Sequence, residues 1–244
     1  MEDIKIIRLD ETDSTNTFLA KYDGNEGMLM TVVTAECQTA GRGQGSNSWE
    51  SERGKNLTFS IKTYPKNLMA SRQFVLLEAG ALAISDTLRT YTDEITVKWP
   101  NDVYWRDYKI SGTLSECSIN GNMVGWCILG TGLNVNQQRF VSDAPNPVSV
   151  ANIIGCETCR EEVLQRCIRN FMKYMDMVNS GHYNEIDMMY AAAMYRKSGV
   201  YEYEDDNGRF MAEIKRIEPN GHLVLERSDG TEATYAFKEV RFII

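Results

Sequence analysis

Apolar and polar positions along this chain follow two periods, and the switches between them outline its elements. Short β-branched runs read as strands at IKIIRL (4–9), MLMTVVTAEC (28–37) and NLTFSIKTY (56–64). ITVKWPND (95–102) runs a strand into a proline turn, and residues 103–119 continue as strands. Asn120-Gly121-Asn122 marks a hairpin, from which MVGWCILGTGLNVN (123–136) returns. Helical spacing recurs at Leu77, Ala81, Ile84 and Leu88 within 71–91, and at Val163, Cys167, Phe171, Tyr174 and Val178 within 161–178. A third helix is expected over 183–195. A short one starts at Asp13 or Ser14, both good N-caps, and ends near Asp23-Gly24.

Two stretches break the pattern. QTAGRGQGSNSWESERGKN (38–56) is too long and polar for a turn, and long unstructured loops in compact domains are usually functional or disordered. The polar segment 137–149, with Pro145 and Pro147, reads as a loop. From Tyr201 onward four short strands are separated by DNG, PNG and SDG turns, the pattern of a small barrel or sheet. The expected fold is α+β: a mixed or antiparallel sheet flanked by helices, then a small β domain. The boundary falls near Arg196–Gly199, dividing the chain into 1–196 and 197–244.

Charge and composition narrow the function. The 26 Lys+Arg against 34 Asp+Glu leave a net charge of −8, a poor basis for binding nucleic acid through its phosphates. Two histidines leave little room for a zinc site or a His-based triad. No run approaches the roughly 20 apolar residues needed to span a bilayer. The acidic start MEDIKIIRLDETD is no signal peptide, so a cytoplasmic location is expected. Six scattered cysteines fit free thiols in a reducing compartment, and the lone CETC at 156–159 lacks the second pair a metal site needs.

Four segments carry candidate chemistry. In GRGQGSNSW (41–49), glycine N–H groups and Arg42 suit a carboxylate or phosphate ligand; a mobile surface loop is an equal reading. KWPNDVYWRDYKISG (98–112) places Lys98, Asp102 and Lys109 near strand ends and a proline turn. Strand alternation puts Lys109 and Ser111 on one face and Ile110 on the other. A lysine facing a cleft could bridge two anionic groups and an aspartate could orient an amine or help hold Mg²⁺, whereas an edge strand would leave both solvated. GTGLNVN (130–136) could carry backbone close to a nucleotide or simply bend out of a strand. DSTN (13–16) caps a helix and could also present N–H groups to a ligand.

In this order, DSTN, QTAGRGQGSNSW, KWPND, KISGTLSE and GTGLNVN resemble the biotin protein ligase family over about residues 1–195, and the last segment matches that family's small C-terminal domain. The resemblance implies a class II synthetase-like sheet domain and an SH3-like barrel. It implies that biotin and ATP form biotinyl-5′-AMP, with Mg²⁺ carried by ATP, and that biotin passes to a lysine of a biotin carboxyl carrier protein domain, of acetyl-CoA carboxylase or a related carboxylase. Biotin contacts fall on Ser14, Thr15, Asn16, Gln38, Arg42, Gly43, Lys109 and Gly112. ATP contacts fall on Arg42, Gln44, Trp49, Lys98, Asn101, Lys109 and Asn134. Lys109, Arg42 and Asp102 are the catalytic set, with no certain metal ligand. A lipoate or octanoate ligase or transferase of the same superfamily, or a non-catalytic biotin sensor, are the alternatives; a sensor would have lost Lys109 or Arg42, and both are present.

Only 12 residues precede DSTN, so no DNA-binding module is expected, and the assembly is a monomer or homodimer. Many relatives carry GRGRxGR in the loop, where this chain has Gln44, Ser46 and Asn47. With fewer loop cations, biotinyl-5′-AMP should escape faster than from arginine-rich relatives; a rapid-dilution assay giving an equal or longer half-life would contradict this.

Overall fold

The computed structural model describes residues 4–24, 28–43, 45, 47–142 and 146–244. Seven strands form a mixed sheet in the order β1-β2-β3-β7-β6-β5-β4. These are β1 (Ile4–Thr12), β2 (Met30–Gln38), β3 (Leu57–Thr63), β4 (Ile95–Lys98), β5 (Asp102–Trp105), β6 (Tyr108–Asn120) and β7 (Met123–Leu133). Helix α1 (Thr15–Lys21) lies between β1 and β2 in sequence, and that crossover makes this pair parallel. The other neighbours pair antiparallel.

The two faces of the sheet differ. Helices α2 (Phe74–Leu88), α4 (Arg160–Asn179) and α5 (Tyr183–Ala193) join a large apolar core with Val32, Phe59 and Ile61. Among the described residues, α1 is the helix on the other face, over a small cluster of Leu19, Val33 and Ile128. Central strand β3 is buried along its whole length. Its apolar side chains join the large core, while Thr58, Ser60 and Lys62 alternate with them. Fully buried Leu76 and Leu88 on α2 each contribute on the order of 1.5–3 kcal/mol.

Two elements differ from the periodicity. The helix expected over 71–91 becomes a 3₁₀ turn (Ala70–Arg72) followed by the shorter α2. The expected loop over 137–149 ends in a helix the pattern did not show, α3 (Val150–Ile154). Ser149 and Asn152 close a capping box there, and Gly155 ends the helix at φ +80°. Pro145 lies outside the described residues.

The last segment forms a five-stranded antiparallel sheet, ordered β11-β10-β9-β8-β12. Its strands are β8 (Tyr201–Asp205), β9 (Gly208–Ile217), β10 (Leu223–Arg227), β11 (Glu232–Tyr235) and the two-residue β12 (Arg241–Phe242). β11 and β12 are its edges, so the pairings describe an open sheet. It docks through Trp99, whose Nε1 donates to Gly221 O at 2.9 Å and whose ring meets Phe237 at 6.1 Å. Arg196, at the expected boundary, donates to Glu202 O and Ile243 O. Among the described residues no helix is long and apolar enough to cross a membrane.

An ionisable carboxyl group lies inside this packing. Glu78 on α2 is 3% exposed, and its Oε2 has no hydrogen-bond partner among the described residues. Burial first, then the neighbouring Asp187 carboxylate, push its carboxyl up to about 9. Above the ordinary value of 4.5, folding must therefore take up a proton, so its stabilising share is full below 4.5 and is lost as pH rises through 9. Glu78→Gln should flatten the fall in melting temperature between those two values; thermal scans across that window check it.

Candidate active site

A cleft of about 1100 Å³ opens where the α1 face of the sheet meets the C-terminal sheet. Thirteen of the fourteen residues expected at the site line it; Gln44 lies outside the described residues, as does Ser46.

The first group surrounds the start of α1. Ser14 is the N-cap in extended conformation, yet its side chain makes no capping hydrogen bond. Gln38, at the end of β2, meets another free donor of the helix start: its Oε1 accepts from Thr15 N at 2.8 Å and from Thr15 Oγ1 at 3.0 Å. Asn16 is held at both ends of its amide. Its Oδ1 lies 2.5 Å from Ser60 Oγ, and its Nδ2 donates to Glu116 Oε2 at 2.8 Å. Gly130 makes room for it, because a Cβ there would collide with the Asn16 amide. Ser14, Thr15 and Asn16 are each buried to 4% exposure or less, so the floor here is polar and ordered.

The glycine loop folds back on itself. Gly43 N donates to Asn47 O at 2.7 Å and Trp49 N to Gly41 O at 3.0 Å. Arg42 reaches Glu116 at 3.1 Å. Both side chains are about 40% exposed, so the pair contributes at most about 1 kcal/mol and breaks easily. Past the loop, burial acts against Glu50, but hydrogen bonds from Ser142, Val141 and Gln137 hold its carboxyl below the usual range. Glu50 thereby ties the loop to residues 137–142.

The third group centres on Lys109, whose Nζ lies 2.7 Å from Asp102 Oδ1 and 5.7 Å from the centre of the Trp49 ring. Alternation had placed Lys109 with Ser111. A bulge corrects this: Tyr104 pairs with Lys109 and Val103 with Ser111, leaving Ile110 as the extra residue. Lys109 therefore shares its face with Gly112, whose missing Cβ would lie 3.0 Å from Asp102 Oδ1 and 3.3 Å from Lys109 Nζ. Burial lowers the pKa of Lys98, opposed by Asp102, and its ammonium lies 4.9 Å from the Phe242 ring. Asn101 Nδ2 donates to Thr113 O, and Asn134 Nδ2 to Val148 O.

Two buried polar atoms on cleft residues lack hydrogen-bond partners among the described residues: Trp49 Nε1, a donor, and Asn134 Oδ1, an acceptor. Such orphans are rare in folded proteins and fit a ligand with complementary groups. Sequence reasoning missed Ser60 and Glu116, although the period-two pattern of β3 and the quoted KISGTLSE contained them. It also missed Phe237, Lys238, Arg241 and Phe242, the C-terminal wall of the cleft, which no motif marks.

Residues 9–134 match the family described as Biotin/lipoate A/B protein ligase family. The chain belongs to this family. It is 30% identical over 237 residues to the bifunctional ligase/repressor BirA of Bacillus subtilis, covering 93% of this chain and 70% of that protein. It is 29% identical over 164 residues to the biotin–[acetyl-CoA-carboxylase] ligase of Mycobacterium tuberculosis, covering 65% of this chain and 59% of that one. The fold is that of the biotin protein ligase from Aquifex aeolicus in complex with biotin and ATP, with a TM-score of 0.80 at 24% identity over 98% of this chain and 99% of that one.

In this family member, the bare backbone at Gly132 decides where Trp49 sits, since a Cβ there would collide with the indole ring. Gly132→Ala should expel the ring. The change should show as a shift in tryptophan fluorescence with the melting temperature little altered.

Proposed function

We infer that the chain is a biotin protein ligase, activating biotin with ATP to biotinyl-5′-AMP and transferring the biotinyl group to a lysine of a biotin carboxyl carrier protein domain. The observation that carries this is the Lys109–Asp102 pair over the bare backbone of Gly112, between a buried polar floor and the orphaned atoms of Trp49 and Asn134. Relatives named as biotin ligases support it.

The cleft divides around Lys109. Ser14, Thr15, Asn16, Gln38 and Gly112 take biotin, with Arg42 and Gly43 closing over it. Trp49, Lys98, Asn101 and Asn134 take the nucleotide, Gln44 being assigned there by resemblance alone. In the first step a biotin carboxylate oxygen bonds to the α-phosphorus. The bond from that phosphorus to the α–β bridging oxygen breaks, and its electron pair leaves with pyrophosphate. The two reactants are anions, and Lys109 and Arg42 offset their repulsion from fixed positions in a partly desolvated cleft. In the second step the carrier's amine attacks the biotinyl carbonyl carbon, AMP departs, and Asp102 orients the amine and receives its proton.

Mg²⁺ would enter on the phosphates of ATP. Among the described residues no three His, Cys, Asp or Glu side chains cluster to hold a metal. The cleft carboxylates are engaged already, Asp102 with Lys109 and Glu50 with the backbone, so no step is assigned to the ion.

The remaining parts of the reading are a catalytic domain of 1–196, an SH3-like domain of 197–244, and action as a monomer or homodimer without DNA binding. The described cysteines are all unpaired, which suits a reducing cytoplasm. Cysteine chemistry does not favour a transferase with a covalent intermediate. Cys127 is buried, and its hydrogen bond with Cys117 and its burial push its thiol well above the usual range. Neither cysteine lines the cleft.

Supplied with one acid at a time, the protein should release pyrophosphate with biotin and not with octanoate or lipoate. Release with octanoate alone would overturn the reading. Lys109→Ala should slow adenylation by roughly 10²–10³-fold; an unchanged rate would remove that lysine from its role.

A further inference from the structure

The cations lining the cleft are nearly all committed. Arg42 pairs with Glu116 and Lys109 with Asp102, while Arg241 pairs with Glu204 at 2.7 Å. The half-buried Lys98 has its ammonium over the rings of Tyr104 and Phe242, at 5.4 and 4.9 Å. Lys238 differs: it is exposed, lines the cleft, and has no carboxylate partner among the described residues.

Its placement is built. Lys238 lies in the turn between β11 and β12, with Glu239 Oε2 accepting from Ala236 N at 2.6 Å. Phe237 anchors the turn on Trp99, and buried Val240 anchors its other side. Within it Lys238 adopts φ +73°, a left-handed conformation that costs a non-glycine residue energy. The side chain reaches the glycine loop, where a Cβ on Gly45 would collide with Lys238 Nζ. Gly45, itself at φ +68°, lies beside that ammonium at the tip of the loop. A strained backbone, a missing counter-ion and a cleared approach together suit an anion that arrives from outside.

We propose that Lys238 binds the β- and γ-phosphates of ATP and holds the pyrophosphate as it leaves; this rests on the adenylating function inferred above. Lys109 stands on the sheet floor beside Asp102, where the carboxylate meets the α-phosphate. The rest of the triphosphate then extends toward the C-terminal wall, where Lys238 meets it. The contact joins that wall to the loop through the substrate itself. Lys238 gives this acidic chain a cation whose charge is not already neutralised.

The test measures inorganic tripolyphosphate and a non-hydrolysable ATP analogue by calorimetry, and pyrophosphate release with biotin, on the full chain. Lys238→Met should weaken tripolyphosphate and analogue binding by about tenfold or more and raise the KM for ATP similarly, leaving biotin affinity as it was. Lys238→Arg should restore most of the loss. Lys238→Gly separates function from structure: it relieves the left-handed backbone, so it should melt no lower than the parent chain while losing phosphate affinity like the methionine variant. Methionine and glycine variants that bind tripolyphosphate as the parent does would overturn the proposal, as would a parent chain that binds none. A parent chain that binds tripolyphosphate through Lys238 but releases no pyrophosphate with biotin would refute the ligase reading and leave the phosphate site standing.

Discussion

The 2.7 Å pair between Lys109 and Asp102 is the contact on which the cleft is organised. It unites two strands of the sheet and depends on a defect in their pairing. Without the bulge at Ile110, regular alternation would turn Lys109 away from the face that Gly112 occupies. Without a bare backbone at Gly112, a methyl group would press against both partners. The ladder must therefore be irregular at one residue and empty at another for one ion pair to form. Beside it, burial lowers the pKa of Lys98 while the Asp102 carboxylate opposes that shift, so this one aspartate faces two cations.

The sheet divides labour between its faces. The large core beneath α2, α4 and α5 supplies most of the apolar burial, which frees the opposite face to carry buried polar groups. There buried Ser60 and Asn16 continue through the part-exposed Glu116 and Arg42 in one chain of hydrogen bonds. Buried polar groups are costly unless partnered, and here each link partners the next. The two orphaned atoms, on Trp49 and Asn134, belong to other residues of the cleft and take no part in this chain.

Legibility in the sequence followed range. Strands, hairpin and the amphipathic α4 were visible because their signals are local and periodic. The five motif segments could be ordered along the chain, and the structure brings thirteen expected residues into one cleft. The bulge was invisible because a period-two pattern has no mark for one extra residue. Helix α3 was missed because five residues carry too little periodicity, although Ser149 and Asn152 formed its cap. Lys238 and Phe237 were missed for a different reason. Their significance comes from docking a second sheet on Trp99, a long-range contact that no window of sequence contains.

The exchange of capping partners at α1 has an evolutionary side. A helix normally needs its own N-cap side chain, which restricts that position to a few residue types. Here a neighbouring strand supplies an acceptor to the first helical N–H through Gln38, and the Ser14 side chain makes no capping bond. The helix start can then vary at Ser14 to suit a different bound molecule while the helix stays formed. Such a division of tasks lets recognition drift independently of folding, and would allow one scaffold to accept acids of different shape among its descendants.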